Sequence, residues 1–579
     1  MHEILRRIWG GATALMSRSR RAAWVDLVVL AAIAGLFYGV LSLGREWTGD
    51  LRPAATIETS PRAVPIYAFY SLCRGLIAYS FSLAFTLVYG YWAARDRAAE
   101  RVLLPLLDIL QSIPVLGFMP GLVLALVAIF PRSNVGVELA AVLMIFTGQV
   151  WNMTFSFYSS LKNVPTDLGE VARAYNFNWW QRLRWLELPS TTIGLVWNSM
   201  MSMAGGWFFL MISEAFVLGD KDYRLPGLGS YMSAALTRGD STAMLWAILA
   251  MAVVILALDQ FLWRPLVVWA QKFRIEEGSA EFEMSSWFLD WLRRSRLYAW
   301  TSELLERRPR LPRPRGAGER ESATPAAAAL WRRLPSLLML VALVAALGLG
   351  GFKLADLLRR VSVANWGAAA GGAAITLTRV LAATTLGTLW AVPAGIAIGL
   401  DTRLARYFQP VVQFFASFPA PMLFPAAVAI LHAAHVSLNF GSIFLMLLGT
   451  QWYILFNVIA GAQAIPADLR EAARSYRFGR LRRFFSLELP AVFPYLVTGW
   501  VTAAGGAWNA SIVAEYVTFR GDVLTARGVG AMISVAAEKA DFPLLAASVT
   551  VMSAMVVLFN RLVWHRCYDL AATRFAMGR

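Results

Sequence analysis

The apolar residues of this 579-residue chain gather in runs of about twenty, each long enough as a helix to cross a hydrocarbon layer roughly 30 Å thick. A chain in lipid must satisfy its backbone polar groups internally, so runs of this length are read as spanning helices. Twelve spans are expected, near 24–43, 66–92, 102–130, 136–158, 191–218 and 243–270, then near 334–352, 372–400, 407–431, 437–460, 491–517 and 543–564. Hydrophobic residues make up 58% of the chain and charged residues 15%, too little charge to cover the surface of a soluble protein. The fold class is therefore all-α and polytopic. Prolines in the third run of each half (Pro114, Pro120; Pro419, Pro425) predict a bend or a break there.

The formal net charge is +17, which in a soluble chain would raise nucleic acid as a partner. Here the basic residues sit between apolar runs. Arg95, Arg97 and Arg101 follow the second run, and Lys162, Arg173, Arg182 and Arg184 follow the fourth. Arg403 and Arg406, then Arg470, Arg474, Arg477, Arg480, Arg482 and Arg483, occupy the matching loops of the second half, and the alternate loops are poorer in arginine. That is the positive-inside pattern. It argues against nucleic acid, makes membrane lipid the surrounding partner, and predicts a multi-pass chain with both termini and the central linker in the cytoplasm. Arg6, Arg7, Arg18, Arg20 and Arg21 precede the run 24–43, which reads as a first span and not a cleaved leader.

Cys73 lies in a run and Cys567 beyond the last one, so they are expected on opposite sides with no disulfide. His432 and His435, three apart, could share a helix face and read as interfacial residues, not ligands. No metal motif emerges.

The chain repeats itself. At an offset of 301, Trp151 realigns with Trp452, Pro165 with Pro466, Asp167 with Asp468, Glu170 with Glu471 and Tyr175 with Tyr476. Leu186-Glu187-Leu188-Pro189 meets Leu487-Glu488-Leu489-Pro490, Glu214 meets Glu515, and Gly227 and Gly229 meet Gly528 and Gly530. Upstream the offset is 305, pairing Arg74 with Arg379 and Pro114 with Pro419. An even number of spans per half makes this a parallel repeat about an axis along the membrane normal. The domains expected are 1–271 and 332–579, six spans each, joined by a charged, proline-rich linker over 272–331.

The loop after the fourth span of each half carries the sharpest signal. It reads Glu170-Val-Ala-Arg-Ala-Tyr-Asn-Phe within 160–190 and Glu471-Ala-Ala-Arg-Ser-Tyr-Arg-Phe within 461–490, each closing on Leu-Glu-Leu-Pro. Pro165-Thr166-Asp167 and Pro466-Ala467-Asp468 are helix starts, with an acidic residue suited to a helix N-terminus. Ala172, Ala174, Ala472 and Ala473 are small enough to let another surface approach, and Pro189 and Pro490 are expected to stop the segment before the next span. These loops resemble the EAA loop of binding-protein-dependent ABC importer permeases, whose pattern is E-A-A, three residues, G, nine residues, I, one residue, L-P. Glu170 and Glu471 match its first position, and Leu188-Pro189 and Leu489-Pro490 match its end. The pattern's glycine is replaced by Asn176 and Arg477. Asn tolerates a left-handed backbone, whereas Arg tolerates it poorly, so the second turn is expected to differ or to shift to Gly479. The aromatic and glycine-rich fifth span, its acidic residue and the Gly-x-Gly loop (Gly227, Gly229; Gly528, Gly530) are similar to the nitrate/sulfonate/taurine/bicarbonate branch.

The resemblance implies a type I importer-like permease in a bacterial inner membrane, and no enzyme. It implies two ABC ATPase subunits gripping the two loops, and a periplasmic or extracellular substrate-binding protein. No GxxxxGK[ST] motif occurs, so ATP and Mg would reside in the partner subunits and this chain would bind no cofactor. Arg74 and Arg379 lie about 13 Å into spans that start outside, with Glu214 and Glu515 near the outer end of the fifth. They either bracket an anion in a pathway or neutralise each other structurally. Trp151 and Trp452 are weaker pathway candidates, the alternative being that they pack helices together. An ion-coupled secondary transporter with duplicated halves is the alternative. It would need buried carboxylate relays and no matched cytoplasmic loops.

Overall fold

The computed structural model describes residues 23–49, 56–218, 221–273, 286–295, 326–519 and 522–575. The arginine cluster at 6–21 and the basic, proline-rich part of the linker lie outside the described residues.

Among the described residues, ten helices are long and apolar enough to cross a membrane, and two bent pairs bring the number to twelve if each pair counts as one span. The pairs are Arg97–Gln111 with Val115–Ile129, bent by 99°, and Thr402–Ser417 with Ala420–Ala433, bent by 86°. Both breaks fall at the first proline of each expected pair. The residue before a proline is pushed out of the helical region, and Ile113 and Phe418 are extended, with ψ of 124° and 128°. Pro120 is carried inside its helix, and Pro425 sits in a first turn, where its missing N–H leaves nothing unpaired.

Two expectations about the fifth spans need correction. The fifth span of each half ends sooner than expected, at Ser213 and at Ala514. The apolar residues after it form hairpins instead, Ala215–Leu218 pairing antiparallel with Lys221–Arg224 and Tyr516–Phe519 with Asp522–Thr525. A run of four apolar residues carries no period, so strand and helix look alike in it. Pro189 and Pro490 do not stop a segment either: single helices run over Trp179–Ser213 and Arg480–Ala514. Each passes its proline by a π turn, Leu183–Glu187 or Phe484–Glu488, in which the N–H of Leu188 or Leu489 reaches the carbonyl of Leu183 or Phe484. The wider turn makes room where an α-helical carbonyl would meet the ring.

His432 and His435 do not share a helix face. His435 lies past the end of Phe424–Ala433 with φ of 54°, and His432 faces the ring of Phe519.

The chain divides into two compact units. The first takes residues 1–49, 155–200 and 256–325. In it the linker turns back on the helical scaffold: the short helix Trp287–Leu292 is capped by Ser286. Trp287 Nε1 donates to Gln260 Oε1 at 3.0 Å, and Ser295 Oγ donates to Asp26 Oδ1 at 2.6 Å. The second unit takes 50–154, 201–255 and 326–579. The helices Val363–Leu400, Leu438–Gln463 and Leu489–Ala514 pack side by side in it, close enough that a Cβ on Gly395 would lie 2.6 Å from Val458. Its core draws on both sequence halves: Met119, Met144 and Phe209 pack with Met446, Trp508 and Met552. A polar tie crosses with them, Val115 N–H donating to Asn509 Oδ1 at 2.8 Å.

Candidate functional site: repeated elbows and buried arginine clamps

The first elbow begins with the helix Thr166–Ala174, entered from Pro165 and carrying Asp167 in its first turn. Phe177 N–H bonds to Ala172 O and Asn176 N–H to Arg173 O, both at 2.9 Å, around Asn176 at φ 52°. This is the Schellman closure, with a left-handed residue just past the helix end. The second elbow repeats it over Ala467–Ser475: Phe478 N–H bonds to Ala473 O, Arg477 N–H to Arg474 O, and Arg477 stands at φ 52°. The expected difference at Arg477 is therefore absent. The paired closing bonds hold an arginine in the conformation for which the family pattern uses glycine, while Gly479 has φ of −62°.

Each elbow then runs into its span through an ion pair. Arg182 Nε meets Glu187 Oε1 at 2.6 Å, and Arg483 Nε meets Glu488 Oε1 at 2.5 Å, with the carboxylate buried each time. Asp167, Glu170, Ala174, Asp468, Glu471 and Ala472 are exposed. Ala172 and Ala473 are buried, facing the chain itself. Leu188, Pro189, Leu489 and Pro490 are half-buried.

The buried arginines form the second motif. Arg74 makes a bidentate pair with Glu138, Nε to Oε2 at 2.6 Å and Nη2 to Oε1 at 2.7 Å. Its Nη1 donates to Glu214 Oε1 and to Pro226 O, each at 2.7 Å. Glu214 also accepts from Ser71 Oγ and from Gly229 N–H, so this carboxylate fastens the loop Gly227–Gly229 to the scaffold. Arg379 repeats the plan: Nη1 donates to Glu515 Oε1 and to Arg527 O at 2.7 Å, and Glu515 accepts from Thr376 Oγ1 and Gly530 N–H. One place differs. Where the first clamp has Glu138, the second has Asn439, whose Oδ1 and backbone carbonyl accept from Arg379 at 2.9 and 3.0 Å. Arg74, Arg379, Glu138, Glu214 and Glu515 are all buried.

The sequence profile of the family described as "Binding-protein-dependent transport system inner membrane component" matches twice, over residues 86–262 and 383–564, which together exceed half of the chain. The chain belongs to that family. The first match contains the first elbow with Glu138 and Glu214 of its clamp, and the second contains the second elbow with Glu515. Among relatives of this inner membrane component, the nitrate import permease protein NrtB of Synechocystis is 30% identical over 140 residues, 24% of this chain and 50% of that protein. The bicarbonate transport system permease protein CmpB of Synechococcus elongatus is 32% identical over 143 residues, again 24% and 50%. The taurine transport system permease protein TauC of Escherichia coli is 24% identical over 187 residues, 32% of this chain and 64% of that protein. The chain spans about half the length of the first curated relatives it matches.

In this inner membrane component the two tryptophans have unlike settings. Trp452 stacks on Phe415 at 5.4 Å and donates its Nε1 to Leu448 O. Trp151 has a buried Nε1 with no acceptor among the described residues. Sequence reasoning did not single out Glu138, Asn439, Arg182 or Arg483 as partners in these clusters. The last two were detectable, since an arginine stands five residues before the glutamate of both Leu-Glu-Leu-Pro copies. Glu138 was not, being 64 residues from Arg74 and matched by an amide in the other half.

Proposed function

We propose that this chain is a two-domain permease of an ATP-driven importer, seated in a bacterial inner membrane with both termini in the cytoplasm. Its elbows at 166–187 and 467–488 are handles for two ABC ATPase subunits, in which ATP and Mg reside. The observation that carries the reading is the elbow built twice: the same Schellman closure, the same π turn and the same Arg–Glu pair lead from an exposed acidic helix into a span. A helix joined this stiffly to a span transmits a push as a rigid body. Asp167, Glu170, Ala174 and their counterparts Asp468, Glu471 and Ala472 form the gripped face, while Ala172, Ala473, Leu188, Pro189, Leu489 and Pro490 fix the elbow to its span.

The solute is small and anionic, delivered by an external binding protein. Support comes from relatives named for nitrate, bicarbonate and taurine transport. We assign Arg74, Arg379, Glu214 and Glu515 to holding the Gly-x-Gly loops and not to the solute, because the side-chain hydrogen bonds of both arginines are directed to acceptors within the chain. Trp151, whose buried indole N–H has no acceptor among the described residues, is the better pathway candidate of the two tryptophans. Affinity capture of the tagged chain from its native membrane tests the assignment. Two ABC ATPase subunits per chain are expected, and uptake that persists in cells lacking such ATPases overturns it.

A further inference from the structure

The two elbows share a backbone but present different chemistry after the left-handed residue. The first continues Phe177-Asn178-Trp179-Trp180-Gln181-Arg182, with Asn178 and Gln181 closing a capping box. The second continues Phe478-Gly479-Arg480-Leu481-Arg482-Arg483. Trp179 and Trp180 are 62% and 53% exposed, while at the foot of the second helix Leu481 and Phe485 are 76% and 62% exposed. Arg477, Arg480 and Arg482 are exposed beside them, and the Arg482 guanidinium lies over the Phe478 ring at 4.5 Å. Among the described residues no ion pair is formed by Arg477, Arg480 or Arg482, whereas Arg182 and Arg483 are committed to Glu187 and Glu488.

Three arginines without acidic partners thus stand among exposed apolar side chains at the start of a helix, Arg480–Ala514, long and apolar enough to cross a membrane. We propose that this foot of the second elbow is a binding site for anionic phospholipid headgroups. Arg477, Arg480 and Arg482 take the phosphate, and Leu481 and Phe485 reach the acyl boundary. The matched foot of the first elbow meets the same interface through Trp179 and Trp180, side chains suited to headgroup depth without a preference for charge. An acidic face of a protein partner would also complement the arginines. Lipid is favoured because the two exposed apolar side chains belong to the first turns of the membrane-entering helix, where arginine and apolar residues alternate across the water–lipid boundary. The proposal rests on the chain being a membrane permease and not on its ATPase partners.

Native mass spectrometry of the purified full chain, titrated with phosphatidylglycerol or with phosphatidylethanolamine, tests it. Arg477→Gln with Arg480→Gln and Arg482→Gln is expected to weaken phosphatidylglycerol binding about tenfold or more, from the loss of three basic contacts, and to leave phosphatidylethanolamine binding unchanged. Lysine at the same three positions should keep the preference, as should Arg184→Gln in the first elbow. Inorganic phosphate at millimolar concentration should not compete. High salt should abolish the preference in the unaltered chain, which gives a readout even where the glutamine variant fails to fold. Equal binding of both lipids by the unaltered chain, or a preference that survives high salt, overturns the proposal. So does a glutamine variant that keeps its phosphatidylglycerol and loses a co-purifying protein, which would assign the arginines to an acidic protein face.

Discussion

A Cβ atom on Gly227 would lie 2.3 Å from the carboxylate of Glu214, and one on Gly528 would lie 2.1 Å from that of Glu515. Neither glycine is there for a left-handed backbone, since both are extended, with φ of 177°. They are there because the buried carboxylate occupies the space a side chain would need. Gly227→Ala must displace Glu214 from Arg74, Ser71 and the Gly229 N–H, and overpacking of this kind costs about 1–3 kcal/mol before any hydrogen bond is lost. A clear fall in the melting temperature of the detergent-solubilised chain is expected for Gly227→Ala and for Gly528→Ala. Gly505→Ala, which meets nothing within 4 Å, should change little.

The clamps also separate charge from shape. Arg74 faces two carboxylates, Glu138 and Glu214, whereas Arg379 faces one carboxylate and the amide of Asn439. Removing an arginine that neutralises buried carboxylates leaves them unpaired, at a cost of roughly 3–5 kcal/mol. Arg74→Gln is therefore expected to be strongly destabilising. Glu138→Gln instead keeps one side-chain acceptor for Arg74 and the Arg74–Glu214 pair, but it turns an amide NH2 toward the guanidinium where the second half uses the backbone carbonyl of Asn439, so it should cost about 1.5–3 kcal/mol, less than the loss of Arg74. Thermal unfolding of the two variants in one detergent checks the order. A Glu138→Gln variant as unstable as Arg74→Gln would show that the second carboxylate is required as a charge.

The sequence discloses the fold where one residue or one run decides the structure. Long apolar runs become helices, Pro114 and Pro419 break the third span of each half, and Pro165 and Pro466 open the elbow helices. It conceals what depends on distant or collective partners. Arg477 is a poor left-handed residue taken alone, but two backbone bonds hold it there. Pro189 reads as a helix stop until a π turn carries the helix past it. Ala215–Leu218 reads as the end of a span until the carboxylate of Glu214, drawn to Arg74, marks where the helix finishes. Glu138 finds Arg74 only through packing of their helices, which no local spacing announces.

Arg477 offers a direct test of strain. A non-glycine residue in the left-handed region carries a penalty of roughly 1–2 kcal/mol that glycine escapes. Arg477→Gly is expected to stabilise the closure of the second elbow by about 1 kcal/mol and to slow amide exchange at Phe478, whose N–H bonds to Ala473 O. Arg477→Val, β-branched and worse in this region, should speed it. Asn176→Gly in the first elbow should change exchange at Phe177 less, because asparagine is already tolerated there.

The acidic faces of the elbows carry the last prediction. Glu170 and Glu471 are exposed, and Glu170 has only a distant pair with Arg173, at 3.8 Å between exposed groups. Such surface pairs contribute little to stability, so reversing the charge should leave the fold alone. Glu170→Lys and Glu471→Lys are each expected to leave the melting temperature within a few degrees of the unaltered chain. At a docking face the same reversal sets like charges against the partner, which costs several kcal/mol. Each single variant should therefore weaken capture of one ATPase subunit, and the double variant should abolish capture and ATP-driven uptake together. The stoichiometry of captured ATPase, read beside the melting curve, separates loss of grip from loss of fold. A double variant that still holds two ATPase subunits would remove Glu170 and Glu471 from the docking face.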